Sequence, residues 1–383
     1  TMITLIHTAD WQLGKPFASI QDHQKRARVQ QERVDAVRRI GEVVRQRNAH
    51  FVVVAGDLFD SPTPTRPTVS AACDAIGSLG VPVYAIPGNH DHGGHDSFWE
   101  QEYFLRERAQ LAPNFHMLLA REPVEIDEAV LLPCPLLRRH EADDSTAWLR
   151  SYDFSSDSTK PRIVIAHGST QHFSGETDEE DQGQPNFIDL CRLPMDEIDY
   201  VALGDWHGFV DVGQKAWFSG SHEIDRFPKS NQLPGHVVCA MVGRGQPPRV
   251  EPVPTGQLQW LTHDITLDEN GPSRLNEILA QVTHAVGSHR SLIKLGLRGS
   301  LSLAARKSLD DFLDSWEARL LRLKVDDGVQ LTPSEAEIDA LTNRPGDPII
   351  SGVARELVSR LGTGGDEGRV VRKSLNLLHS YCR

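Results

Sequence analysis

The stretch Phe51-Val52-Val53-Val54-Ala55-Gly56-Asp57-Leu58-Phe59-Asp60 decides the fold. Its first five residues are apolar and rich in valine, and a glycine follows them, which predicts a buried strand that ends at Gly56. A strand without polar residues on either face belongs inside a sheet that is covered on both sides. Because ligands bind beside the carboxyl ends of parallel strands, we expect Asp57 to face a crevice.

The same pattern, an apolar run that ends in polar residues, recurs at four other points of the chain. The segments that follow these runs are Ala9-Asp10-Trp11-Gln12, Gly88-Asn89-His90-Asp91, His167-Gly168 and Gly204-Asp205-Trp206-His207. Helical periodicity alternates with the first strands, most clearly from His23 to Arg47, and this alternation predicts a parallel sheet with right-handed crossovers. Five strands should therefore bring their polar side chains to one edge.

Short strands become frequent from Phe115 onward, which predicts a second sheet packed on the first. The expected fold class is α/β, as a four-layer α/β/β/α sandwich. A chain of 383 residues is longer than a typical single domain. Gly256 is a plausible boundary, and beyond it helices and a strand predict a smaller α+β unit. We therefore expect a large domain over residues 1–255 and a smaller α+β domain over residues 256–383.

Composition excludes several classes of protein. With 39% hydrophobic and 24% charged residues and no apolar run near eighteen residues, the chain is typical of soluble globular proteins, and no membrane partner is expected. It starts directly with a strand and lacks the regions of a signal peptide, which favours a cytoplasmic location. Five scattered cysteines argue against a disulfide framework or a zinc knuckle. The net charge of −13 gives no electrostatic footprint for nucleic acid over the whole surface.

The polar residues at the strand ends form a donor set for two divalent cations. Asp57 is the natural carboxylate to bridge the two. Asp10 and Gln12 can face the first cation because Trp11, between them, points away, and Asn89 and His167 can serve the second. The complete set of predicted ligands is Asp10, Gln12, Asp57, Asn89, His167, Asp205 and His207, of which the last two can each face one cation. Such a centre predicts hydrolysis of phosphoesters.

Three further residues are candidates for contact with substrate. His90 lies beside Asn89 but is not needed as a ligand, so it is free to contact the scissile phosphate or to protonate the leaving group. Asp91 is expected to orient His90 or its loop, and we group both with the catalytic residues. His222 follows a short strand and is a candidate phosphate contact, with a structural role as the alternative. His7, close to the first motif, we interpret as structural.

These motifs together resemble the calcineurin-like metallophosphoesterase superfamily. Within it, His7-Thr8-Ala9-Asp10, Ala55-Gly56-Asp57-Leu58-Phe59-Asp60 and Tyr200-Val201-Ala202-Leu203-Gly204 are similar to the SbcD-type DNA repair nucleases. The resemblance covers about residues 1–255, and the tail is more loosely similar to the capping domain of that family. It implies a manganese-dependent DNA nuclease.

Two positions depart from the SbcD-type pattern. Gln12 stands where those enzymes place a histidine, and Gly204-Asp205-Trp206-His207 stands where they have Gly-His-x-His. The combination resembles the stand-alone bacterial branch called MPE, which implies DNA end processing and endonuclease activity on single strands. The carbonyl oxygen of Gln12 still suits a hard cation, and Asp205 adds an anionic oxygen. Three carboxylates against two dications leave a formal charge of +1, which attracts a phosphodiester.

The sequence therefore predicts a binuclear-metal phosphodiesterase with two divalent cations, manganese being favoured. Its expected partner is single-stranded DNA, which it would cut as an endonuclease in DNA repair or end processing. Two alternatives stay open: a phosphodiesterase that acts on a small nucleotide, and a catalytically inactive DNA-binding scaffold. Whether a partner ATPase exists is also left open.

Overall fold

The computed structural model describes residues 2–155, 159–171, 186–213, 215–227, 233–362 and 364–382. The chain divides into two compact units, Thr1–Leu258 and Gln259–Arg383. Within the described ranges, no helix is both long and apolar enough to cross a lipid bilayer.

Over its described residues, the first unit contains two sheets and three α-helices. Its strands are β1 (Met2–Thr8), β2 (Phe51–Ala55), β3 (Val83–Ile86), β4 (Phe115–Met117), β5 (Val124–Glu125), β6 (Val130–Cys134), β7 (Arg162–His167), β8 (Tyr200–Gly204), β9 (Val210–Gly213), β10 (Ala216–Phe218), β11 (His236–Gly243) and β12 (Arg249–Pro254). Its helices are α1 (His23–Arg47), α2 (Arg66–Gly77) and α3 (Glu102–Leu111).

Each sheet has six strands and a parallel centre. The first has the order β12-β11-β1-β2-β3-β4, with β1 to β4 parallel, and the second has the order β5-β6-β7-β8-β10-β9, with β6, β7, β8 and β10 parallel. The register aligns the strand ends: Thr8 pairs with Val54, and His167 pairs with Gly204. As a result, the polar segments that follow β1, β2, β3, β7 and β8 leave the sheets together.

Three layers of apolar side chains hold this unit together. Leu5 and Val53 of the first sheet meet Ile163 and Ile165 of the second in a core between the sheets. The outer face of the first sheet is covered by α1, α2 and α3. The outer face of the second sheet is covered by segments that include two short 3-10 helices, Ala147–Arg150 and Leu190–Arg192. The predicted α/β sandwich is therefore confirmed.

Helix α1 shows how local sequence fixes an element. The Asp22 side chain accepts hydrogen bonds from the backbone N–H groups of Gln24 and Lys25, which caps the start of the helix. At the other end Asn48 adopts a left-handed conformation with φ of 50°. Between these caps, valine and isoleucine at helical spacing face the first sheet.

The second unit is built on a three-stranded parallel sheet. Its strands are β13 (Gln259–Leu267), β14 (Ser291–Leu301) and β15 (Arg322–Leu331), in that order. Its helices are α4 (Gly271–Thr283), α5 (Leu303–Arg319), α6 (Glu335–Thr342), α7 (Pro348–Ser359) and α8 (Gly365–Tyr381). Helices α4 and α5 connect the parallel strands and pack on the sheet through Leu275, Leu279 and Leu309. Helices α6, α7 and α8 form a smaller cluster around Leu341, Ala354 and Leu375.

Candidate metal centre

Four non-glycine residues turn the chain sharply where it leaves the strands. They are Asp10, Gln12, Asp57 and Asp205, with φ of 55°, 41°, 57° and 105°. L-residues rarely adopt positive φ, and such strain is tolerated where surrounding bonds over-determine it. Here the Asp10 N–H donates to Gly56 O at 3.1 Å and the Gln12 N–H donates to Asp57 O at 2.8 Å. These bonds fasten the turn after β1 to the turn after β2.

Three of the predicted ligands converge within the turns. One ligand atom each from Asp10, Asp57 and His167 lies within 4.8 Å of the others, and all three residues are buried. His167 Nε2 lies 3.6 Å from Asp57 Oδ1 and 3.7 Å from Asp205 Oδ1. The backbone N–H of Asp205 donates to the Asp10 carboxylate. The structure therefore brings Asp205 to the same cluster.

The ring of His167 is oriented for a cation. Its Nδ1 lies 2.7 Å from Ala55 O, and because a carbonyl only accepts, Nδ1 carries the proton and donates it. Nε2 is therefore the ring nitrogen that faces the carboxylates, and it becomes a ligand when a cation displaces its proton. A Cβ on Gly56 would lie 2.3 Å from this Nδ1, so only glycine leaves room for the ring.

The position of Asn89 fits a bound cation. Its side-chain amide lies 3.0 Å from His167 Nε2 and beside the carboxylate oxygens of Asp57. With the amide turned over, its NH₂ group would instead donate to Asp57 at 3.2 and 3.3 Å. In either orientation the amide lies beside the carboxylate of Asp57 and the ring of His167, as expected if Asn89 is a ligand.

The buried negative charge of the cluster also favours a bound cation. Burial raises the pKa of Asp10 well above its usual value, with repulsion from Asp57 and Asp205 added and attraction to His167 opposing. Burial alone would lower the pKa of His167, but the nearby carboxylates of Asp57, Asp10 and Asp205 outweigh it and raise the pKa to about 9. Among the described residues, neither Asp10 nor Asp57 forms an ion pair with a lysine or arginine. Divalent cations would balance this buried negative charge.

The side chains of Gln12 and His207 are connected through Lys15 and Asp225, two residues that the sequence motifs do not contain. Gln12 Oε1 accepts a hydrogen bond from Lys15 Nζ at 2.9 Å, and Lys15 Nζ lies 2.5 Å from Asp225 Oδ2. The other carboxylate oxygen of Asp225 lies 3.3 Å from His207 Nδ1. Gln12, which is expected at the first cation, is thus connected to His207 through an ion pair.

His90 and Asp91 occupy different positions. The side chain of His90 is about one-third exposed, with its Nδ1 2.9 Å from Asp60 O and its Nε2 4.0 Å from Asp57 Oδ2. The carboxylate of Asp91 is buried and accepts from the N–H groups of Gly88 at 2.7 Å and Phe59 at 3.1 Å. Asp91 therefore holds its loop, whereas the ring of His90 is held by the Asp60 carbonyl.

His222 is placed differently from the expectation of a substrate contact. It has no exposed surface, its Nε2 lies 2.8 Å from Arg33 O, and its ring packs on Trp11. Burial lowers its pKa well below the usual value. A neutral, enclosed histidine supports the turn after β1 from behind and does not reach a substrate in this conformation, which corrects the substrate-binding assignment.

Arg33 is a supporting residue that the sequence analysis did not single out. Its buried guanidinium donates to Trp11 O at 2.6 and 2.9 Å, to Asp10 O at 3.1 Å and to Glu223 O at 3.1 Å. These bonds hold the carbonyl groups of the strained turn. Its spacing offered a signal, since it lies four residues from both Val29 and Val37 on the apolar face of α1.

The donor set as a whole is chemically suited to divalent cations. It combines carboxylate oxygens, amide oxygens and imidazole nitrogens, which manganese and related metals accept together. A bound cation explains why carboxylates and an imidazole are crowded together at this buried position.

Comparison with known proteins adds an independent finding. Residues 3–209, more than half of the chain, match the family model described as calcineurin-like phosphoesterase. The matched range contains every predicted metal ligand. One solved crystal structure aligns with 66% of this chain and 99% of its own, at 13% identity and a TM-score of 0.38. A likeness at that level carries no argument about fold or function.

Proposed function

Because the chain belongs to the calcineurin-like phosphoesterase family, we propose that this metal-dependent phosphoesterase is a nuclease that hydrolyses the phosphodiester bonds of single-stranded DNA. The observation that carries the proposal is the convergence of Asp10, Asp57 and His167 within 4.8 Å at the ends of β1, β2 and β7. When bound there, a pair of divalent cations supplies an activated nucleophile and neutralises charge on the phosphate.

Asp57, His90 and Asp91 have different roles in the proposed reaction. Asp57 lies in one buried cluster with Asp10 and His167, and its carboxylate has two oxygens, which suits a bridging ligand. The Nδ1–H of His90 donates to the Asp60 carbonyl, so its Nε2 is the atom that can deliver a proton to the departing oxygen. Asp91 fixes the backbone of the loop from Gly88 and so sets where His90 stands.

Single-stranded DNA is favoured as substrate by the motifs. The sequences around Asp10, Asp57 and Gly204 resemble those of DNA repair nucleases, and the Gln12 and Asp205 departures resemble the branch with endonuclease activity on single strands. The side chains of His90 and Asp205 are partly exposed, as direct contact with a substrate requires. Manganese is favoured over magnesium because magnesium prefers oxygen ligands alone and keeps its waters.

The test uses chelator-treated full-length protein with circular and linear DNA, single- and double-stranded, plus manganese or magnesium. We expect nicking of circular single strands with manganese, less with magnesium, and none for Asp57→Ala. Degradation of linear strands only would contradict an endonuclease. Hydrolysis of a small nucleotide diester without DNA cleavage would favour the alternative phosphodiesterase, and no hydrolysis of either substrate would favour an inactive scaffold.

A further inference from the structure

We propose that Lys15 and Asp225 are positioning residues that hold Gln12 and His207 together as the ligand pair of one cation. The inference rests on the metal dependence of the proposed function but not on DNA as the substrate. Neither residue belongs to a recognised motif: Lys15 lies three residues after Gln12, and Asp225 lies eighteen residues after His207.

The contacts form a continuous chain of four side chains. Gln12 Oε1, Lys15 Nζ, Asp225 and His207 Nδ1 are joined by distances of 2.9, 2.5 and 3.3 Å. The carboxylate of Asp225 is almost fully buried and Lys15 is mostly buried, with side-chain exposures of 1% and 22%. A buried ion pair with a further hydrogen bond at each end has a fixed geometry.

Lys15 determines which end of the Gln12 amide is presented. An amide carries an acceptor oxygen and a donor NH₂ group, and only the oxygen can bind a cation. Because an ammonium group only donates, Lys15 can hold Gln12 only by its oxygen. That oxygen has a second lone pair, which remains for the cation. The glutamine that stands in place of a histidine therefore has a neighbour that fixes its orientation.

Asp225 determines which nitrogen of His207 is presented. By accepting the Nδ1 proton it leaves Nε2 with a free lone pair, the arrangement commonly found for histidine ligands. Arg226 Nη2 also lies 3.2 Å from Nδ1, and a guanidinium, which only donates, would require the opposite tautomer. The two contacts compete for one nitrogen, and only the one with Asp225 is compatible with a cation on Nε2.

Charge distinguishes the two residues. Asp225 balances the positive charge of Lys15, which would otherwise repel a nearby dication. Removing Asp225 deletes the hydrogen-bond partner of His207 and leaves the positive charge of Lys15 unbalanced. Removing Lys15 deletes the hydrogen-bond donor to Gln12, but it also removes that positive charge. Loss of Asp225 should therefore weaken the cation more than loss of Lys15.

The experiment is a calorimetric titration of manganese into full-length, chelator-treated variants. For Lys15→Met we expect one of two cations to bind roughly 10- to 100-fold more weakly and the other to bind as in the wild type. Asp225→Ala should show at least as large a loss at the same cation. The matched control is Lys160→Met, because Lys160 also forms an ion pair, with Glu125, but lies before β7, at the opposite end of that strand from His167.

A second arm separates positioning from a general effect on stability. In a Gln12→Ala background, Lys15→Met should cause no further loss of affinity, because the side chain that it orients is gone.

If Asp225→Ala does not fold, as judged by circular dichroism, Asp225→Asn carries the test with a smaller expected loss. Wild-type affinity for both cations in Lys15→Met and Asp225→Ala would overturn the inference, and so would a further loss in the Gln12→Ala background. The titrations measure manganese binding without DNA. The positioning role can therefore hold even if the protein does not cleave DNA, so the two proposals are tested separately.

Discussion

At the scale of single residues, Gly56 shows how closely the site is packed. Its φ is 92°, and a Cβ there would lie 2.3 Å from His167 Nδ1. We expect Gly56→Ala to displace the His167 ring, to weaken manganese binding by at least about tenfold, as loss of a ligand's supporting contact does, and to lower the free energy of unfolding. Calorimetric titration and urea-induced unfolding measure the two effects.

Gly80 is the matched control for Gly56. Its φ is 76°, but a Cβ would meet open space. Gly80→Ala should therefore show only the backbone strain, about 1–2 kcal/mol in unfolding free energy, with manganese affinity unchanged. The packing argument is wrong if the two variants lose the same stability and both keep wild-type affinity.

The role of His90 can be separated from that of the metal ligands. If it protonates the departing oxygen, its removal matters only for a poor leaving group. His90→Asn should lower DNA cleavage by roughly 10²- to 10⁴-fold, the usual contribution of a general acid, while hydrolysis of bis-p-nitrophenyl phosphate falls far less.

His95 provides the control, because it lies in the same stretch of chain but its side chain is 91% exposed. His95→Asn should cleave both substrates at the wild-type rate. Equal losses on both substrates for His90→Asn, with metal content unchanged, would make His90 a phosphate-binding group instead.

The sequence pattern marks the candidate ligands but not the residues that support them, for a physical reason. Asp10, Asp57 and His167 each follow an apolar run, so a local pattern marks them. Lys15 and Asp225 follow no such run, and their contact joins positions 210 residues apart in the sequence. Only the folded chain brings that pair together.

At the scale of elements, burial decided which strands could be predicted. The central strand β14 is buried over most of its length, and it accounts for the one strand that the sequence predicts beyond Gly256. Strands β13 and β15 lie at the edges of their sheet, where charged residues such as Asp326 and Asp327 are exposed to solvent. Neither strand therefore contains an apolar run from which it could be predicted. Helix α6 was not predicted either, because its eight residues are too few to show a clear helical periodicity.

Strand β1 contains a histidine whose structural role can be tested by pH. His7 is fully buried, with Nδ1 2.9 Å from the Tyr200 hydroxyl and Nε2 3.1 Å from Leu203 O. Burial lowers its pKa from 6.5 to about 3. Between these values the unfolded chain binds a proton that the folded chain does not, so the free energy of unfolding falls as the pH drops below about 6.5. At pH 5 the loss should be about 2 kcal/mol.

The variant His7→Gln keeps a donor and an acceptor but cannot titrate. Between pH 7.5 and pH 5, urea-induced unfolding should show about 2 kcal/mol less destabilisation for this variant than for the wild type. The exposed His95→Gln should follow the wild type. An identical pH dependence for His7→Gln and wild type would show that His7 is accessible to protons in the folded protein.

At the scale of the whole molecule, charge limits how the protein could hold single-stranded DNA, the substrate that we propose. The net charge is −13, so attraction should come from few phosphate contacts near the metal centre. For single-stranded DNA we expect a slope of log affinity against log salt of roughly two to four contacts' worth, between about −1.4 and −2.8. Binding of an oligonucleotide to the slow His90→Asn variant measures it. A slope equivalent to about ten contacts would reveal a basic groove that this account lacks.

The central claim is that the strand ends of the first unit assemble a two-cation centre bridged by Asp57. The most direct measurement is the number of manganese ions bound per chain, by equilibrium dialysis with elemental analysis, for the wild type and for Asp57→Ala. The account predicts two ions and phosphodiester hydrolysis for the wild type, and fewer than two ions with no hydrolysis for Asp57→Ala. Two ions and undiminished hydrolysis in Asp57→Ala would contradict it.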